Sequence, residues 1–254
     1  MRFVTSFTQA LVEKYAWRLL ETRQHLPGEL HVYTEDKAVS SGDGIVAHDL
    51  HKLCPKLVQF KDKLRNFHAT GFRNDVVKFS NKVFAQAHAL WNASEIVCWI
   101  DADCVILKPI PESFLVGLLK GGYCGYFGRN GNAPYTETGF LIFDPRKEQN
   151  QRFVNAYRDV YLSGRIFALP QWHDCYAFDE ARKNFGEFRS LSIDPGVMHP
   201  IVASPLGEYI DHLKGPRKNV GYSEEHPLRW WKGRAVLGVR PGRDHRESAS
   251  AANE

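Results

Sequence analysis

The sequence predicts an α/β fold with a mostly parallel central sheet flanked by helices, and three observations carry that prediction. Residues 3–7, 9–23 and 30–34 read as strand, amphipathic helix and strand, an order that implies a right-handed βαβ unit. A second helical pattern over 75–91 leads directly into a short, β-branched apolar run at 96–100. That run stops abruptly at Asp101 and Asp103, as a strand does on reaching the ligand edge of an open sheet.

Each element has its own signal. In the first helix Leu11, Tyr15, Leu19 and Leu20 recur at helical spacing, and Pro27-Gly28 ends it. Residues 37–74 are less regular: Ser40-Ser41-Gly42-Asp43-Gly44 reads as a loop, and 60–72 carries no decisive pattern. On the 75–91 helix Phe79, Val83, Ala87, Leu90 and Trp91 share one face, with Lys78 and Lys82 four apart on the adjoining one. After Pro111 a short helix over 112–120 precedes a glycine-rich stretch, 121–128. Its glycines fit no phosphate-loop spacing, so it reads as strand plus loop. Glu137-Thr138-Gly139-Phe140 is expected to be a polar turn entering another strand, 146–163 a helix, and Trp172-His173-Asp174 the start of a further one.

The chain has 254 residues, 43% hydrophobic and 24% charged, which suits one large α/β domain over 1–235. Residues 236–254 lack apolar content and are expected to form a disordered tail. The net charge of +4 is mild and much of the basic excess falls late, so nucleic acid is not an expected partner. Five scattered cysteines without a Cys-x-x-Cys pair read as reduced thiols, which suits the cytoplasm. No run has the length of a signal-peptide core or a membrane span. Trp230 and Trp231 among Arg229, Lys232 and Arg234 would suit a peripheral contact with an anionic bilayer, or else form a structural Trp pair.

Two clusters carry the chemistry. Asp101 and Asp103, two residues apart at a strand end, suit a hard divalent cation that keeps positions free for a diphosphate; the alternative is a turn cap. In His212-Leu213-Lys214-Gly215-Pro216-Arg217-Lys218, the imidazole is a metal ligand by type. Gly215 permits close backbone approach, and Lys218 supplies a point charge for phosphate. Thr5 and Asp36, near strand ends on the same edge, could meet a nucleotide base or ribose, or serve ordinary turns. Lys78 and Lys82 could reach phosphates or line a solvated face. Trp172 beside His173 and Asp174 suits sugar stacking and hydroxyl binding, or a capped helix with a core Trp.

The Asp-x-Asp pair followed by His-x-x-Gly-x-x-Lys resembles the GT-A nucleotide-sugar glycosyltransferases, closest to the glycogenin and lipooligosaccharide galactosyltransferase family. The resemblance runs over roughly residues 3 to 220, with two departures: Asn219 follows Lys218 where that family continues Pro-Trp, and Cys104 follows the acids. It implies a GT-A, Rossmann-like sheet and a Mn²⁺ (or Mg²⁺) ion held by Asp101, Asp103 and His212. It also implies a UDP-sugar donor contacted by Lys78, Lys82, Asp101, Gly139 and Lys218, to which the strand-end positions of Thr5 and Asp36 and the loop at Gly215 add candidate contacts, and transfer with retention to a glycan or lipid-linked acceptor. Glu137 and Asp174 are the carboxylates expected near the reacting sugar, and either could serve as base if the reaction inverted. The competing readings are a sugar-1-phosphate nucleotidyltransferase, whose glycine-rich loop after the first strand is missing at Ser6-Phe7-Thr8-Gln9-Ala10, and a non-catalytic carbohydrate binder.

Overall fold

The computed structural model describes residues 1–130 and 135–226. The Trp230–Trp231 cluster, the 235 boundary and the 236–254 tail lie outside the described residues. The first half alternates strand and helix. β1 (Arg2–Ser6) is followed by a continuous helical run: α1 (Gln9–Leu11), a π-helical turn over Val12–Ala16, α2 (Trp17–Thr22) and a 3₁₀ turn over Arg23–His25. Then come β2 (Glu29–Thr34), β3 (Ile45–Asp49), α3 (Leu50–Leu53), α4 (Pro55–Lys63), α5 (Val76–Trp91) and β4 (Val97–Ile100). The second half holds β5 (Cys104–Ile106), α6 (Glu112–Leu119), β6 (Cys124–Phe127), β7 (Glu137–Phe143) and α7 (Asn150–Leu162). It closes with α8 (Asp174–Arg182), β8 (Phe188–Ser190), β9 (Ile210–His212) and α9 (Arg217–Val220).

Seven strands form one sheet in the order β3-β2-β1-β4-β7-β6-β8. β3, β2, β1 and β4 are mutually parallel, β7 runs antiparallel to both β4 and β6, and β8 is parallel to β6. The mostly parallel α/β sheet expected from the sequence is therefore what the chain adopts. Side-chain alternation divides the core. Val97, Trp99, Leu141 and Phe143 pack with α5, α7 and α8, while Cys98, Ile100, Phe140 and Ile142 pack on the other face with the 9–25 run and α6. Both faces are covered, which is why β4 and β7 read as continuous apolar runs. Burying each large side chain of this kind, Trp99 or Phe143 for example, stabilises the fold by about 1.5–3 kcal/mol.

Several local expectations are corrected. The irregular 37–74 stretch contains β3, α3 and α4; α4 begins at Pro55, whose fixed φ suits a first helical position. Glu137-Thr138-Gly139 is no turn but the first part of β7, buried throughout. Trp91 is exposed, since it lies on the last turn of α5 beyond the sheet. Asp75 starts that helix by accepting the Lys78 N–H at 3.0 Å.

Candidate active site

Asp101 is the first residue beyond β4 and Asp103 the last before β5, so a tight turn holds both at the carboxyl end of a central strand. The backbone fixes that turn: Cys104 N–H donates to the Asp101 carbonyl at 3.0 Å, and Asp101 N–H to the Gly139 carbonyl at 2.9 Å. β5 then pairs antiparallel with β9, Cys104 opposite His212, and Leu213 N–H donates to the Asp103 carbonyl at 2.9 Å. This small two-stranded ladder delivers His212 to the acids. Its Nε2 lies 3.1 Å from Asp103 Oδ1 and 3.8 Å from Asp101 Oδ2.

The two acids are used in the same way, one oxygen to a lysine and the other toward the imidazole. Lys82 Nζ donates to Asp101 Oδ1 at 2.6 Å, and Trp99 Nε1 donates to the same atom at 2.7 Å. Lys218 Nζ lies 2.8 Å from Asp103 Oδ2. Lys82 continues to Asp174 Oδ2 at 2.8 Å and the Thr138 carbonyl at 3.0 Å, and the Thr138 hydroxyl donates to Asp174. Glu137 forms the floor. Its Oε1 accepts the Gly139 N–H at 3.0 Å and lies 3.9 Å from His212 Nδ1; its Oε2 takes Lys214 and, at 3.1 Å, Arg129 Nη2. Asp101, Asp103, Asp174 and Glu137 thus face Lys82, Lys218, Lys214 and Arg129, a set balanced in charge.

The electrostatics follow from that pairing. Burial resists ionisation of Asp103, but His212 and Lys218 outweigh it and hold the carboxyl well below the usual range. Lys214, His212 and Arg129 do the same for buried Glu137, and Lys82 with His173 lowers the pKa of Asp174; burial pushes Asp101 the other way, up, against the pull of Lys82 and His212. Burial pulls the Lys82 pKa down, but Asp101 and Asp174 more than reverse it, so this lysine stays charged.

Glycine at 139 is a packing requirement: a Cβ there would stand 2.2 Å from His212 Cε1. Gly215, at φ +58°, lets the chain turn from β9 into α9, on which Lys218 is carried. The 212–218 segment is therefore a strand end, a turn and a short helix, where the sequence suggested a loop throughout.

Other candidates are placed less tightly. Thr5 is fully buried in β1 with its hydroxyl unpartnered. Asp36 fastens the start of the first helix, accepting the Gln9 N–H at 2.8 Å and the Thr34 hydroxyl at 2.7 Å. Lys78 Nζ lies 4.4 Å over the Phe72 ring. Trp172 packs against Phe67 and Phe167, while His173 occupies the N-cap position of α8 with no capping bond from its side chain. Sequence reasoning passed over Lys214 and Arg129. Lys214 sits inside the His212–Lys218 motif, where its charge was the available signal; Arg129 had none.

The residues fit a divalent cation. Asp103 Oδ1 is buried and, apart from His212, unpartnered; it lies with His212 Nε2 in one group of possible ligand atoms, and Asp101 Oδ2, 3.8 Å from that nitrogen but outside the group, would have to move in to complete an O, O, N set suited to Mn²⁺ or Mg²⁺. Cys104 also has its sulfur within 4.8 Å of donor atoms on Asp103 and His212. Burial pushes that thiol well above its ordinary pKa, and a neutral sulfur is a poor partner for either ion.

No family model matches the chain, and no curated protein sequence matches it. Among solved structures it is similar to the apo form of mouse xyloside xylosyltransferase 1, at 14% identity and a TM-score of 0.49 over 75% of this chain and 84% of that one. It is also similar to the galactosyltransferase LgtC in complex with donor and acceptor sugar analogues, at 11% identity and a TM-score of 0.44, covering 76% and 73% of the two chains. The glycosyltransferase GlyE of Streptococcus pneumoniae TIGR4 matches at 13% identity and a TM-score of 0.46; 75% of this chain is covered but only 44% of that longer one.

Proposed function

We propose that this chain is a metal-dependent glycosyltransferase of the GT-A type, moving a sugar from a UDP-sugar to a glycan or lipid-linked acceptor with retention. One observation carries the reading: Asp101 Oδ2, Asp103 Oδ1 and His212 Nε2, from segments far apart in the chain, converge at a strand-end edge beside the Lys218 ammonium. That is a donor set for a cation with a phosphate-binding charge next to it.

A bound Mn²⁺ or Mg²⁺ would neutralise charge on the departing nucleoside diphosphate. The chain's own residues do the rest. Asp101, Asp103 and His212 would hold the ion, and Lys218 would donate to a phosphate oxygen. Glu137 orients His212 from the Nδ1 side and keeps Lys214 and Arg129 in place; both its oxygens are committed, so its part is positioning. Asp174, held ionised by Lys82, is the carboxylate assigned to the donor sugar. Thr5, Asp36, Lys78, Gly139 and Gly215 complete the assigned donor edge. The five cysteines are all free thiols, which supports a cytoplasmic setting. Among the described residues no helix is long and apolar enough to cross a membrane.

The test is a panel of nucleotide sugars assayed for metal-dependent release of nucleoside diphosphate. Turnover that vanishes with chelator and in Asp103→Ala is expected. Undiminished turnover in either case sinks the metal-dependent reading, and donor binding without turnover across the panel favours a carbohydrate-binding protein.

A further inference from the structure

The charge balance of the site has a cost for an incoming cation. Each acid that would ligate it already holds an ammonium, but the two lysines are anchored very differently. Lys82 is locked by Asp101, Asp174 and the Thr138 carbonyl, on the sixteen-residue helix α5. Lys218 holds Asp103 alone, with its Nζ 4.4 Å over the Tyr15 ring, and rides on the four-residue helix α9. α9 in turn follows the positive-φ hinge at Gly215, and its backbone is tied down through the buried Arg18, whose guanidinium donates to the Lys218 carbonyl at 2.8 Å. The backbone of residue 218 is thus held while its side chain has one ionic partner and an aromatic shelf.

Resting on the donor-site reading above, we propose that Lys218 is an exchangeable counter-ion. In the free protein it neutralises Asp103; when a divalent cation takes that carboxylate, Lys218 passes to the diphosphate. Cation and diphosphate therefore bind as a coupled pair. The argument is electrostatic. A cation alone must displace an ammonium from a buried carboxylate and leave that ammonium without a partner. A dianionic diphosphate supplies the partner, and the pair enters a balanced site without changing its net charge. Tyr15 holds the lysine near both positions by its ring face. The π-helical turn that carries Tyr15 is the kind of irregularity that re-aims a side chain.

The test uses Mn²⁺ and UDP on the full chain. Free Mn²⁺ is followed by its electron paramagnetic resonance signal and UDP binding by calorimetry, so that no step depends on turnover. The parent protein is expected to bind Mn²⁺ about tenfold more tightly with UDP present than without it, at the low end of couplings between sites. Lys218→Met is expected to bind Mn²⁺ alone more tightly than the parent and to lose most of that coupling; Lys218→Arg, which keeps the charge, should retain it. Equal or weaker binding of Mn²⁺ alone by Lys218→Met, with folding intact by thermal melt, overturns the exchange. Equal coupling in parent and Lys218→Met overturns it too. A parent that binds Mn²⁺ under neither condition overturns the donor-site reading itself, and the exchange with it.

Discussion

At the scale of single residues, the site depends on shape as much as on charge. Gly139 is the clearest case, because His212 occupies the space that any side chain would need. Gly139→Ala is expected to push the imidazole off the acids, weaken Mn²⁺ binding, and cost about 1–3 kcal/mol of stability through overpacking. A Mn²⁺ titration beside a denaturant melt checks both, and unchanged metal affinity would show that His212 has no part in ligation. Glu137→Gln keeps the shape and removes a buried charge that Lys214 and Arg129 both need. It should destabilise by about 3–5 kcal/mol, the usual cost of breaking a buried ion pair. A loss below 1 kcal/mol in the same melt would count against the role assigned to this floor. Asp101, Asp103, His212 and Lys218 were legible in the sequence because their types and spacing carry chemistry. Glu137 was legible only as a polar strand entry. Its partners Arg129 and Lys214 lie elsewhere in the chain, and their meeting is a product of folding.

At the scale of elements, strongly periodic segments were legible and short ones were not. α5 and β4 follow from pattern and capping, whereas β3 has only half-buried residues over Ile45–His48 and so shows no apolar alternation. What holds β3 to the sheet, besides its ladder with β2, is an unusual histidine contact. His48 stacks on His31 and Tyr33, and His31 Nδ1 lies 2.9 Å from His48 Nε2. Burial, with Arg2 close by, pulls the His31 pKa from 6.5 down to about 4; it lowers His48 too, and Arg2 adds to that. The unfolded chain therefore binds protons that the fold refuses. The contribution of His31 is full above pH 6.5 and falls as the pH drops toward 4, by about 1.4 kcal/mol per pH unit, and His48 acts in the same direction. Urea midpoints across that range should show the slope in the parent and a shallower one in His31→Gln. A slope that His31→Gln leaves unchanged assigns the acid sensitivity elsewhere.

At the scale of the whole molecule, the class and the parallel half of the sheet were legible from strand–helix alternation. The antiparallel insertion of β7 between β4 and β6 was not, since strand direction leaves no mark in an apolar run. The site joins the 101–103 turn, β7, α8 and the 212–218 segment, so a ligand that spans them should stabilise the fold as a unit. Mn²⁺ with UDP at one hundred times the dissociation constant is expected to add about 2.7 kcal/mol. Differential scanning calorimetry should show a rise in Tm larger than the separate effects of metal and nucleotide combined. A merely additive rise would mean that the segments respond independently.

The β5–β9 pairing also bears on how the protein comes into being. Asp103 is made early and His212 late, and backbone hydrogen bonds between two three-residue strands are what join them. A growing chain can lay down β1 to β4 with the 9–25 run and α5 against them, and present its acid pair long before the imidazole exists. During synthesis that pair stands at a sheet edge with Lys82 as its companion, unable to complete its third corner. Competence therefore waits for β9, and for the Lys218-bearing α9 that follows it, to close against a strand laid down long before.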